Sequence, residues 1–489
     1  MGSDDIKPDH ERKNAVMNKI IIQQSTRRKF LGQAASAGSL LGAGGLFHGI
    51  YAGESSSAQT LKAGEGTVDI TPQIGTVMAG FHYKPGSERL VGSVRDKTEA
   101  RAIVLQLGKQ LAAIVSIDVC AISRESTRRL QKQISKKTGI PADAIRLCVT
   151  HTHSAPTLRF FRLWGGLPEK YIAETEKRIV QAVEIAKADL ATAALSIGKS
   201  RTEGANFNRT RKDFKKDIDF NAQSSEKDRW LDTVLHTLHF ERGPKKKNLL
   251  WYQFSAHPVC YADGESGPDW PGIVAEIISK QENLTPSFLQ GHAGDVNPGD
   301  GTPWRGEAEQ TARQVALGIR QALSDAQSVK PSELRIATEE IRLPLDLELM
   351  NSRMEQYRKN PEKCASGPFV DAPFAKAWFD DARKWSSTQT DLSTTVSLLQ
   401  LGNNGLLFHS SELFSYYGLQ IQMKSSLENT IMVGYTDGFI GYLTDPTSHK
   451  NGEYAASVVP KLLNLPPFIP TATQKFSSNV TKFLKEKIS

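Results

Sequence analysis

Apolar runs broken by polar punctuation predict the order strand, strand, helix, strand between residues 102 and 149. Residues 102–107 and 111–117 flank the turn Gly108-Lys109-Gln110 and read as a strand pair. Ser123 caps a helix that runs to Lys137, and Gly139 and Pro141 stop it. Ile145–Val149 is the next strand, so the unit is a parallel crossover whose working residues belong at the carboxyl ends of its strands. A short strand stopped by Pro72 precedes this unit. After it, Ile172, Ile179, Val183 and Leu190 share one face of a long helix predicted from Pro168 to about Leu195. Strands follow at 234–240 and 249–254, with Lys245-Lys246-Lys247 at a solvated tip. An amphipathic helix spans 306–326, and 348–388 is irregularly helical, in the manner of a lid or insertion. A hairpin turns around residues 402–405, a short helix follows Glu412, and a last strand covers 431–435. No internal repeat is visible. Strands alternating with helices make this an α/β chain with mixed sheet layers and flanking helices.

Composition narrows the class. Of 489 residues, 39% are hydrophobic and 23% charged, the balance of a folded globular chain. The net charge of +8 is spread out and gives no basis for nucleic-acid binding. Cys120, Cys148, Cys260 and Cys364 lie far apart with no C-x-x-C spacing, so they form neither a zinc knot nor a disulfide framework, although one bridge stays open. At the N-terminus, Ser25-Thr26-Arg27-Arg28-Lys29-Phe30-Leu31 precedes a Gly/Ala-rich, mildly apolar run to about Ala52. This resembles a twin-arginine export signal. Residues 1–58 are therefore expected to be a signal and extension, and the protein periplasmic or secreted, with no membrane span in the mature chain.

The chemistry gathers at strand ends. Thr150-His151-Thr152-His153-Ser154 follows one strand; alternation would turn both imidazoles to one side, a suitable start for a zinc site. Taken alone, such a pair is more often a hydrogen-bonded surface or core couple. His257, Glu412 and Tyr442 likewise follow apolar runs, and each has a bland reading: turn residue, helix-end charge, core aromatic.

Together these stretches resemble the neutral/alkaline (non-lysosomal) ceramidase family, specifically its zinc-bearing N-terminal domain. The motifs stand in family order over residues 63–460: G-x-x-x-x-D-I-T-P at 64–72, T-H-T-H-S at 150–154, F-N-R-T at 207–210, A-H-P at 256–258, P-D-W-P-G at 268–272, G-D-V-N-P at 294–298, S-E-L-F at 411–414, and G-Y-x-T with E-Y at 441–454. The resemblance implies one Zn²⁺ held by His151, His257, Glu412 and Tyr442. It gives His153 proton transfer or oxyanion contact, Arg209 charge for substrate or oxyanion, and Tyr454 a hydrogen bond to the tetrahedral intermediate. Asp269 and Asp295 are expected to be supporting or turn residues.

Two departures stand out. Asn297 occupies the place where the family's G-D-V motif is usually followed by serine, which excludes a serine acyl-enzyme there. The chain also stops soon after the match, so a single catalytic domain without the family's C-terminal β-sandwich is expected, with 461–489 a short segment and helix. The function implied is hydrolysis of an amide in a ceramide-like lipid by zinc-activated water, with room for transient contact with a membrane surface. The alternatives are another N-acyl or cell-envelope amide or ester, and a silent periplasmic binding protein.

Overall fold

Ala100, Ala102 and Val104 face one side of their strand and Ile103, Leu105 and Leu107 the other, and both sets are buried. A strand that is apolar on both faces must lie between two layers. The computed structural model, which describes residues 60–488, contains this arrangement three times.

In the first unit β1 (Leu61–Asp69), β2 (Glu99–Leu107) and β3 (Gln110–Ile117) pair antiparallel. Helix α1 (Arg124–Thr138) then crosses over to β4 (Ile145–Val149), parallel to β3, and α2 (Glu169–Ala188) leads to an edge strand β5 (Ala191–Thr192) on β1. The second unit repeats that plan with β6 (Ala194–Arg201), β7 (Val234–Glu241), β8 (Leu249–Phe254), α3 (Trp270–Glu282), β9 (Pro286–Gln290), α4 (Ala308–Ser324) and β10 (Gln327–Val329). The third opens with β11 (Leu334–Pro344), then inserts the helical pair α5 (Leu347–Lys359) and α6 (Ala372–Ala382). It continues with β12 (Asp391–Leu401), β13 (Asn404–His409), α7 (Ser415–Lys424), β14 (Asn429–Val433) and finally α8 (Ala472–Ile488). The spatial orders are β4-β3-β2-β1-β5, β9-β8-β7-β6-β10 and β11-β12-β13-β14.

One core joins the three sheets. Ile103 and Leu105, Phe240 and Trp251, and Leu399, Phe408 and Ile431 bring their inner faces into a single apolar cluster. Helices cover the outer faces. Helix α2 lies so close to β1 that a Cβ on Gly66 would fall 2.2 Å from the Ala182 carbonyl oxygen, which accounts for a glycine within the first motif.

Several sequence expectations need adjustment. Helix α2 stops at Ala188 with Asp189 as its cap rather than near 195, because Ala193, Leu195 and Ile197 follow the period of a strand. The hairpin of the third unit turns on Gly402-Asn403 alone, since Leu401 pairs with Asn404. Helix α8 packs Phe476, Val480, Phe483 and Leu484 against Leu398, Leu407 and Met432 and belongs to the body of the fold. All four cysteines are free. The 348–388 region forms its own small core around Cys364, Phe369 and Trp378, tied to the body by His82–Asp371 and Arg162–Asp381 contacts of 2.8 and 2.9 Å. The arginine pair and its apolar run lie outside the described residues. Among the described residues, no helix is long and apolar enough to cross a membrane.

Candidate metal centre

Each unit sends chain from the carboxyl ends of its two parallel strands toward one small volume. After β4, His151 adopts a left-handed backbone, φ 64°. The strand therefore stops before it, and this turn rather than strand alternation brings the rings of His151 and His153 together, Nε2 to Nε2 at 3.2 Å. The His153 amide donates to the Pro258 carbonyl at 3.0 Å, joining the first turn to the A-H-P turn that follows β8. The F-N-R-T and G-D-V-N-P motifs pair with each other antiparallel, Val296 opposite Asn208. Glu412 and Tyr442 lie opposite each other in a two-residue parallel ladder, so their side chains leave the same side.

Groups able to bind a cation converge at this point. The Nδ1–H of His151 donates to the Cys120 carbonyl at 2.6 Å, and that of His257 to the Val296 carbonyl at 2.9 Å. These bonds fix the tautomer and leave both Nε2 atoms as lone-pair acceptors. Both point at a carboxylate: Glu412 Oε2 is 3.0 Å from His257 Nε2 and 3.6 Å from His151 Nε2. All three side chains are buried, and their ligand atoms lie within 4.8 Å of one another. Burial lowers the His151 pKa to about 4 and holds His153 and His257 well below the ordinary imidazole range. Two neutral imidazole nitrogens thus face a buried carboxyl group whose own pKa is raised by desolvation. Two neutral imidazoles and a carboxylate suit zinc.

The remaining predicted residues surround this group. The Tyr442 hydroxyl accepts from Arg209 Nη2 at 2.6 Å and bonds to Glu412. Burial drives its pKa well above 10 against the pull of Arg209, so the free site keeps the phenol protonated. Among the described residues Arg209 makes no ion pair with a carboxylate; its other partners are the Gly294 carbonyl at 2.8 Å and Asn297 Oδ1 at 3.3 Å. Tyr454 stands at the rim, 46% exposed, its ring 6.4 Å from that of Tyr442. Asp295 accepts from Ser415 N–H and Oγ–H, both at 2.8 Å, and from Asn208 at 2.7 Å, clamping three segments together. Asp269 caps α3 with φ 66°. Asp118, although at a strand end as expected, stays apart: it accepts the Glu99 amide at 3.0 Å and lines a separate cavity of about 670 Å³ with Arg101 and Asp269.

Residues 61–304 match the neutral/alkaline non-lysosomal ceramidase N-terminal domain. The chain belongs to this family. Its fold is similar to that of neutral ceramidase from Pseudomonas aeruginosa, with a TM-score of 0.65 and 16% identity over 86% of this chain and 74% of that one. It is also similar to a ceramidase complexed with C2, with a TM-score of 0.64 and 16% identity over 88% and 76% of the two chains.

In this ceramidase-family chain, four residues that shape the centre escaped the sequence reading. Tyr435, with φ 54°, lays its ring 4.6 Å from that of His151 and directs its hydroxyl to Glu412 Oε2 at 3.4 Å. Cys120 was read only as a small buried residue, yet its carbonyl orients His151 and its sulfur lies within 4.8 Å of ring nitrogens of His151 and His153. Gly80 lies against the face of His153. Arg89 donates to the carbonyls of Ala79 and His153 and so ties the Gly80 segment to the histidine turn. Of the four, Tyr435 carried a usable signal, because it ends the strand expected at 431–435 as other site residues follow theirs.

Proposed function

We propose that this chain is an exported, zinc-dependent amidohydrolase that cleaves the N-acyl bond of a ceramide-like lipid. The observation carrying the proposal is the buried convergence of His151, His257 and Glu412, with both Nδ1–H groups tied to backbone carbonyls, in a member of the neutral/alkaline ceramidase family. Those three residues with Tyr442 would hold the ion, which when bound supplies Lewis acidity toward an amide carbonyl and lowers the pKa of water. His153, neutral because it is buried, takes the proton from the attacking water and returns it to the leaving amine. Arg209, fixed by Gly294 and Asn297, brings positive charge to the oxyanion, and Tyr454 donates to the same oxygen from the rim. Asn297 is already engaged, accepting from Arg209 and donating to the Trp304 carbonyl at 2.7 Å, which suits attack by water rather than by a side-chain nucleophile. The Arg27-Arg28 motif supports export to the periplasm or beyond.

The test is metal content beside turnover. Purified protein should contain one equivalent of zinc and hydrolyse a fluorogenic ceramide, with activity lost to chelator and restored by zinc. His151→Ala should contain none and be inactive. Equal metal in both proteins would reject the centre, and turnover of short N-acyl amides but not ceramide would reject the lipid substrate.

A further inference from the structure

Behind the centre lies a groove of about 1080 Å³, separated from it by Phe439, whose ring stacks on His151 at 5.4 Å. Leu158, Phe160, Leu167, Ile172, Ile440 and Leu465 form the apolar part of a lining that is otherwise polar and charged, and Phe160 and Leu167 remain 42% and 46% exposed. Two of its cations, Arg159 and Arg342, lack an ion pair among the described residues, and Arg159 is the one beside Phe439. Arg124 pairs with Glu340 at 3.0 Å and Arg129 with Glu176 at 2.5 Å, but Arg159 has no ion pair among the described residues. Its guanidinium donates only to backbone carbonyls: Phe439 and Phe160 at 2.8 Å each, and Leu463 at 3.5 Å. Five N–H donors are available on a guanidinium, so at least two are unspent. Desolvation with no acid beside it lowers the Arg159 pKa to about 10. A partly buried, under-bonded guanidinium among these apolar side chains suits a bidentate carboxylate carrying a long chain.

We propose that this groove binds a long-chain fatty acid, its carboxylate on Arg159 and its chain along Phe160 and Leu167. The identity of the acid rests on the reading of the protein as an amidase of N-acyl lipids, because that reaction releases a carboxylate of this class. Glu125, Glu169, Asp391 and Asp437 also line the groove and oppose a polyanion more strongly than a single negative charge. The groove is a product site backing on the centre, with Phe439 as the shared wall.

Binding, not turnover, is the readout, since Arg159 also holds Phe439 and its loss would disturb the centre. Zinc-loaded protein is titrated with fluorescent cis-parinaric acid, which is then displaced by palmitate, hexadecan-1-ol, inorganic phosphate or soluble dihexanoyl-phosphatidylglycerol. Palmitate should bind at least tenfold more tightly than the alcohol. Arg159→Gln should erase that difference. Leu167→Asp, at a surface position that leaves folding intact, should weaken palmitate at least tenfold. Phosphate and the short phospholipid should not compete.

Equal binding of acid and alcohol to the wild type, or unchanged palmitate affinity in both variants, would overturn the proposal. So would displacement by the phospholipid as strong as by palmitate, which would mark a headgroup site. Loss of all palmitate binding on chelation would place the acid at the metal instead and also overturn it. Palmitate binding without ceramide turnover would sink the proposed activity and leave the groove a fatty-acid site. Turnover without binding would sink the groove alone.

Discussion

Gly80→Ala should cripple the proposed reaction while leaving the metal in place. Gly80 has φ 102°, and a Cβ there would lie 2.4 Å from Cγ and 2.6 Å from Nδ1 of His153. Neither side can yield easily. The Gly80 amide donates to the Trp164 carbonyl at 2.8 Å, and the neighbouring Ala79 amide to Ala155 at 3.0 Å. His153 is held by its own amide on Pro258 and by Arg89 on its carbonyl. The positive φ costs an alanine ~1–2 kcal/mol, and forced overpacking adds ~1–3 kcal/mol. The variant should thus lose roughly 2–5 kcal/mol of stability, a drop of several degrees in Tm. The larger effect is on chemistry, where a shift of ~1 Å in a reacting group costs on the order of 100-fold in kcat. Gly86→Ala is the control: its φ is 81°, but nothing lies within 4 Å of the added methyl. It bears a similar backbone strain without touching His153. Turnover of fluorogenic ceramide, zinc content and Tm of the two variants, measured side by side, separate strain from displacement. Wild-type kcat in Gly80→Ala, or an equal loss in Gly86→Ala, would refute the role given to His153.

Tyr435→Phe removes the hydroxyl on Glu412 Oε2 but keeps the ring against His151, so zinc affinity should fall ~10-fold in a competition with chelator while the fold is retained. Asp295→Ala strands the Ser415 and Asn208 donors in a buried site and should cost at least ~3 kcal/mol, read as a fall in Tm. Burial, reinforced by the charge of Glu99, raises the Asp118 pKa from 3.8 to about 7. The folded protein then binds a proton that the unfolded chain has released, so stability should fall as pH rises through that interval. Asp118→Asn should flatten the fall and gain ~2–4 kcal/mol above pH 7; parallel pH–stability curves for variant and wild type would reject this.

Period-two and helical patterning made the crossover β3–α1–β4 and the strands β7 and β8 legible, because their apolar positions are decided locally. The Ser123 cap and the left-handed Gly139 stop were equally readable, each being a one-residue event. His151, His257 and Glu412 each close an apolar run, but only the ordered family motifs around them singled them out as a ligand set. What brings them together could not be read. His151 and Tyr435 both take positive φ, and Asp437 does so two residues later, a conformation uncommon for any residue but glycine and not marked at these positions by the apolar pattern. The end of α2 was misplaced for a related reason: Leu190 continues a helical stripe, and only pairing with β1 and β7 makes the next residues strands. Tyr435 was invisible as a partner of Glu412 because contact across 23 positions depends on β14 lying beside β13.

The threefold recurrence of one strand order, with no sequence repeat to announce it, sets how the centre can be assembled. Cys120 and His151 come from the first unit, His257 and Asp295 from the second, and Glu412 and Tyr435 from the third, all from the carboxyl side of parallel strands. No unit by itself brings together the two imidazoles and the carboxylate. The ligand atoms meet only when the inner faces of all three sheets have closed on their common core. That closure carries an electrostatic cost in the absence of a cation, since it presses Glu412 against two imidazoles whose remaining nitrogens are also acceptors. Occupation by the proposed metal would relieve that cost in the folded state alone, because the unfolded chain has no preformed site. Metal affinity and the docking of the three units are therefore linked by mass action, and whatever loosens one must weaken the other.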